Sequence, residues 1–252
     1  MDEGLAGRLV DYYIDRLLAE PALHDKVEFE IVFSCYTLDL PQRLEQLSEV
    51  GFSKHEQNTI AQCLRRLTNR IVHPQDGLWR QDAAKLDILN KRREELMSSS
   101  TDLLGRIYWL LEDAKRYGTL PFAGLARAGF IAVQMLKSLV TMGVFSQGDY
   151  DAFIAGVSTV SGQLSRDRAN LDKSTFLTRY GHLRPGTYDI LSLRYDEAPE
   201  LYFDWDHRPP APKPIEPFSL TLPQMQEIVK LLEAHELHPD PVGLLGFMQA
   251  GI

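Results

Sequence analysis

Residues 176 to 196 read FLTRYGHLRPGTYDILSLRYD, which places one His, three Arg, two Asp, four Tyr or Phe rings, one Pro and two Gly in 21 positions. A helix has no need of that mixture. His182 is a side chain whose ordinary pKa lies near neutrality, so it suits general acid or base work and hydrogen bonding to an incoming substrate. Arg184 and Arg194 carry guanidinium forks that grip phosphate or carboxylate through two parallel bonds. Asp189 can orient His182, accept a substrate proton, or simply cap a turn. Tyr188 is grouped with them as a substrate contact. Each residue also has a plain architectural use: the His can pin the turn through a backbone carbonyl, and the arginines can pair with Asp189, Asp196 or Glu197.

The elements that must position this loop read as helices. A short helix over 174 to 180 delivers the chain into it, and Gly181 ends that helix. Upstream, residues 5 to 19 carry an apolar stripe of Leu9, Val10, Tyr13, Ile14, Leu17 and Leu18 that stops at Pro21. Asp39 and Pro41 open a short helix with Leu44 and Leu47 inward, closed by Gly51. Ser53 and Glu56 form a capping box for a helix that ends before Pro74. A polar helix follows over 82 to 97. Thr101 caps the next, with Leu104, Ile107, Tyr108 and Leu111 inward and a stop at Gly118. Pro121 begins a helix to about Met142, in which Ala123, Gly124, Ala126, Ala128 and Gly129 permit close approach of a neighbour. Ser146 with Asp149 caps one reaching about Arg168, and Thr221 with Gln224 and Asp240 with Pro241 open the last two.

The fold class expected is therefore mainly α, a multi-helix bundle of antiparallel helices. Residues 26 to 33 stand apart, since Val27, Phe29, Ile31 and Phe33 alternate with more polar neighbours at period two. Paired with the extended candidate 186 to 203 they would form one small two-stranded β element, although eight residues do not separate strand from helix. Five prolines in 207 to 217 mark a semi-rigid spacer. The expected domains are a helical region over 1-206, a linker over 207-219, and a truncated C-terminal helical hairpin over 220-252 whose apolar last helix lacks a partner.

A net charge of -8 argues against a general nucleic-acid binder, which needs a basic face to displace counterions. The basic run from Arg65 to Arg93 reads as a solvated helical face, with an anion-binding surface as the alternative. Cys35 and Cys63 have no metal-ligand spacing, so neither zinc nor a disulfide framework is expected, and a reducing cytoplasm fits. Asp2 and Glu3 replace the basic start of a signal peptide, and Gln134 and Lys137 interrupt the most apolar stretch, so no membrane span is expected. The Glu112-Asp113 doublet reads as surface charge. Arg127 lies in a small, apolar stretch and must find a partner if buried; it is grouped with the loop as a substrate contact. No Gly-rich phosphate cradle with its Lys and metal-binding carboxylates is present, nor a Gly-Gly run into Ser/Thr-His. The chain is not expected to transfer phosphate alone.

The run YGHLRPGTYDI followed by RYDE is similar to the central region of multidomain phosphotransferases related to phosphoenolpyruvate synthase and rifampin phosphotransferase. EFEIVFSCYTLD at 28 to 39 and RYGTLPFAGLARAGFIAVQ at 116 to 134 resemble the same proteins, so the resemblance covers most of residues 22 to 205. It implies a helical acceptor-binding middle region. The ATP-grasp domain, with its ATP and Mg, and the swivelling His domain would be partners in the same polypeptide, and the ligand a small-molecule acceptor. It also implies the roles of His182 and Arg184 as acceptor contacts. Rifampin phosphotransferase-like enzymes are the nearer pattern, since nothing here reads as the strand-helix barrel that binds pyruvate in phosphoenolpyruvate synthase. Their motif has a Gly directly after the Arg, whereas Arg184 precedes Pro185-Gly186-Thr187, which leaves the acceptor open. Two other classes compete: a helical protein-protein interaction module without a small-molecule site, and a self-contained acid/base enzyme built on His182 and Asp189.

Overall fold

Asp2, Ser53, Asp102, Thr159, Asp172, Thr221 and Asp240 each accept a backbone N–H from the first turn that follows them. Short polar side chains satisfy donors that a helix leaves open at its start, and this fixes where these helices begin. The computed structural model describes residues 1–185, 189, 191–207 and 218–252, and among them there are helices and no strand.

In chain order the helices are α1 (Glu3–Ala19), α2 (Leu40–Arg43), α3 (Lys54–Val72), α4 (Leu78–Ser98), α5 (Leu103–Asp113) and α6 (Leu120–Thr141). They are followed by α7 (Gln147–Gly156), α8 (Val160–Asn170), α9 (Lys173–Tyr180), α10 (Pro199–Tyr202), α11 (Leu222–Ala234) and α12 (Pro241–Gly251). The chain divides into two compact units, Met1–Tyr150 with Ser219–Ile252 and Asp151–Phe218.

The first unit is built on α6. Ile131, Ala132, Met135, Leu136 and Leu139 are buried on it, and α4 and α12 pack against it. Burying each of the larger side chains contributes roughly 1.5–3 kcal/mol. The small residues do what their size allows: a Cβ on Gly251 of α12 would lie 3.0 Å from Ala132 Cβ, so the two backbones run close together. Thus the last helix has a partner, with Leu244, Phe247 and Met248 buried, and residues expected as a separate hairpin return to the first unit. The proline-rich positions 208 to 217 lie outside the described residues.

Three further expectations are corrected. Val27–Ile31 is a π-helical turn in place of the expected strand, with the Val32 N–H bonded to the Val27 carbonyl. Its alternating burial is real, since Phe29 packs on Phe130 and Ile31 is buried while Glu28 and Glu30 are exposed. Among the described residues no strand lies beside it, and Gln134 of α6 donates to the Glu28 carbonyl instead. Residues 146 to 168 form two helices, because Thr159 caps a new start.

The third correction is the largest. Gly118 does not stop a helix: α5 runs through a π-helical segment, Ala114–Thr119, straight into α6, giving one helical rod over Leu103–Thr141. Asp102, not Thr101, is its cap. Leu104, Ile107, Tyr108 and Leu111, expected inward, are exposed, with Leu104 at 79%. Asp113, expected at the surface, is buried and accepts from Arg92 Nε at 2.8 Å, tying α5 to α4. By length and composition the rod could cross a membrane, but its α6 half is the core helix of the first unit.

Candidate functional site

The sequence-predicted loop belongs to the second unit, whose core is aromatic. Phe176 and Tyr180 lie four residues apart on α9, so they share a face. Phe176 is fully buried, with Tyr180, Phe203 and Trp205 rings at 5.0, 5.1 and 5.7 Å, and Tyr195 stacks on Phe203 at 4.7 Å and on Tyr202 at 5.2 Å. Tilted and edge-on contacts of this kind add to the area they bury. Arg168 of α8 is buried with its guanidinium 4.2 Å from the Trp205 ring centroid, and it donates to the Asp204 carbonyl.

Leaving α9, the chain turns back on itself. The Leu183 N–H donates to the Tyr180 carbonyl at 3.0 Å, then Tyr195 and Asp196 return their N–H groups to the carbonyls of Leu183 and Gly181 at 3.0 and 3.1 Å. Gly181 is required at this crossing, since a Cβ there would meet the Leu177 carbonyl oxygen at 2.3 Å and Asp196 Cβ at 2.9 Å. Both ends of the loop are thereby fastened to the same helix terminus.

Most of the loop's polar chemistry is consumed in its own construction. Arg194 holds Asp196 through two parallel bonds, Nε to Oδ1 at 2.9 Å and Nη2 to Oδ2 at 2.8 Å, which raises its pKa further. Its backbone N–H donates to Glu197 at 2.8 Å. Asp189 caps a turn by accepting the Leu191 N–H at 2.9 Å. The Tyr180 hydroxyl donates to Asp167 at 2.6 Å, and that bond is the main reason its pKa rises.

Two further predicted residues lie just past Gly181. His182 is exposed and has no hydrogen-bond partner among the described residues, while Arg184, two positions on, is half-buried. Tyr188 lies outside the described residues. Arg127 belongs to the first unit, where it is exposed on α6. In the resembling stretch around it, Arg116 pairs with Glu112 at 3.3 Å and the Tyr117 ring lies 5.4 Å from the Arg92 guanidinium. Among the described residues no three His, Cys, Asp or Glu side chains are grouped so as to hold a metal ion. Burial pushes the Cys35 thiol up to about 12, which makes it inert at neutral pH.

The first unit holds a concave feature lined in part by the basic run that begins at Arg65. The end of α3, the start of α4 and the turn between α11 and α12 enclose a cleft of about 600 Å³. Its wall is fixed by Asn69, buried, which donates to the Glu236 carbonyl at 2.9 Å and accepts the His238 N–H at 3.0 Å. These bonds hold Glu236 in the left-handed conformation, φ 52°, an uncommon one for a residue with a side chain. The legible signal was the spacing of Arg66, Arg70 and His73, at i, i+4 and i+7 on one helical face. No family model matches the chain, and neither a curated protein nor a solved structure matches it.

Proposed function

We propose that this chain is the acceptor-binding helical middle region of an ATP-dependent phosphotransferase of the phosphoenolpyruvate synthase-like and rifampin phosphotransferase-like kind, without transfer activity of its own. The observation that supports it most is His182: after its neighbours have been spent on holding the loop, this imidazole stands exposed on a segment fastened at both ends. A group meant for a substrate is best presented this way, since little freedom is lost on binding. His182 hydrogen-bonds the acceptor or takes its proton, and Arg184 steadies an anionic part of it. ATP and Mg belong to an ATP-grasp domain of the same polypeptide, which supplies the phosphoryl group through a carrier His.

The test is made in the full polypeptide that carries these residues. His182→Ala and Arg184→Ala should lower acceptor turnover while the carrier His is still phosphorylated from ATP at its normal rate. Equal loss of both steps would reject the reading.

A second reading, a helical interaction module without a small-molecule site, draws on α5. Leu103, Leu104, Tyr108, Trp109 and Leu111 are all exposed on it, an apolar surface that soluble proteins seldom leave uncovered. In the reading we prefer, another domain of the same polypeptide covers this face. A lipid partner fits poorly, because Glu112, Asp113, Lys115 and Arg116 follow the apolar stretch after about 10 residues, against the roughly 20 a span needs. The cytoplasm is the compartment this reading assumes.

A further inference from the structure

We propose that the cleft between α3, α4 and the α11–α12 turn binds a phosphorylated small molecule. This rests on the first unit alone and stands whether or not the loop of the second unit takes an acceptor.

Arg66 and Arg70 are four residues apart on α3, which brings their stems together on one helical face. Two like charges so placed destabilise a helix unless an anion lies between them. The acids bordering the cleft are paired on its own wall, Glu236 with Arg65 at 2.9 Å and Asp76 with His73, which leaves Arg66 and Arg70 as its surplus charge. Arg66 has only the Cys63 sulfur at 3.3 Å, and Arg70 has no partner among the described residues. Thus two guanidiniums face a concavity in a protein of net charge -8. The His73 and His238 rings, 6.5 Å apart and edge to face, line the same space.

Size and chemistry narrow the ligand. A cleft of about 600 Å³ is far larger than an inorganic phosphate and within the range of small-molecule sites. Two guanidinium forks side by side match the several oxygens of a phosphoryl or pyrophosphoryl group better than one carboxylate. The site is preformed, because Asn69 clamps one wall and Gly77 lets the start of α4 close against the α3 terminus: a Cβ there would lie 2.4 Å from the Ile71 carbonyl oxygen.

The test is calorimetric titration of the intact chain with inorganic pyrophosphate. Binding should weaken about tenfold or more in Arg66→Ala and in Arg70→Ala, the loss expected for one charge-assisted contact, and should be unchanged in Arg93→Ala on the exposed face of α4. Both cleft arginines are exposed, so the variants should fold, and circular dichroism checks this. Absence of pyrophosphate binding, or equal weakening in all three variants, would overturn the proposal. Vesicles rich in anionic lipid should fail to sediment the chain; their capture of the wild type but not of Arg70→Ala would overturn the small-molecule assignment.

Discussion

The Tyr36 hydroxyl and His235 Nδ1 lie 2.8 Å apart, joining residues 199 positions apart in sequence. Burial, aided by the Arg65 charge, holds the His235 imidazole below its ordinary value, and burial likewise raises the Tyr36 phenol. At neutral pH, then, a neutral phenol is hydrogen-bonded to a neutral ring.

Because the folded pKa of His235 is depressed, the unfolded chain takes up a proton more readily than the folded one. The associated stability is fully present above the unfolded value of about 6.5 and is lost as pH falls through the depressed folded value. Urea midpoints of the wild type should therefore drop between pH 7.5 and pH 5.5. In His235→Gln that drop should be smaller, and an equal drop in both proteins would locate the pH response elsewhere.

Gly181 is a tight crossing in the second unit. Placing a methyl group between Asp196 and the Leu177 carbonyl should force the two loop ends apart, at a cost of about 1–3 kcal/mol, as for other overpacked sites. Trp205 belongs to this unit and Trp79 and Trp109 to the first. With the latter two replaced by Phe, the Trp205 fluorescence of Gly181→Ala should report an earlier unfolding transition than that of its Gly181 parent.

On α5, Leu104→Glu combined with Leu111→Glu touches no core. Folding stability should stay within about 0.5 kcal/mol per site, the usual range for surface changes. Self-association and binding of a hydrophobic dye should fall. A large loss of stability would show that the face is packed within the chain itself.

Several helix starts were legible because capping chemistry is local: Ser53 with Glu56 and Thr221 with Gln224 form both halves of their capping boxes. Residues 27 to 33 show what periodicity alone leaves out. Their burial alternates as the pattern says, but a strand also needs a partner, and that is a tertiary fact. The α5 stripe failed differently, since an amphipathic pattern names the face to be covered without saying that the covering element lies in the same chain. The loop's residue types suit a site, but Arg194 pairs with Asp196, Asp189 caps a turn and the Tyr180 hydroxyl is bonded to Asp167, which are tertiary facts that residue type does not carry. Arg66 and Arg70 of α3 are exposed, as a solvated face requires, but the wall that makes a cleft of them comes from Glu236 to His238, more than 160 positions away in sequence, so the sequence alone leaves the anion-binding alternative undecided.

The π-helical segment Ala114–Thr119, where the Leu120 N–H reaches back to the Lys115 carbonyl, places one additional residue in the rod. Each residue advances an α-helix by about 100° in azimuth, so the compass bearing of α5 is set separately from that of α6. A one-residue insertion or deletion there would swing the outer arm to a new heading while the seating of Ile131, Met135 and Leu139 stayed as it is. The arm can thus be re-aimed through evolution without redesign of the interior that carries it.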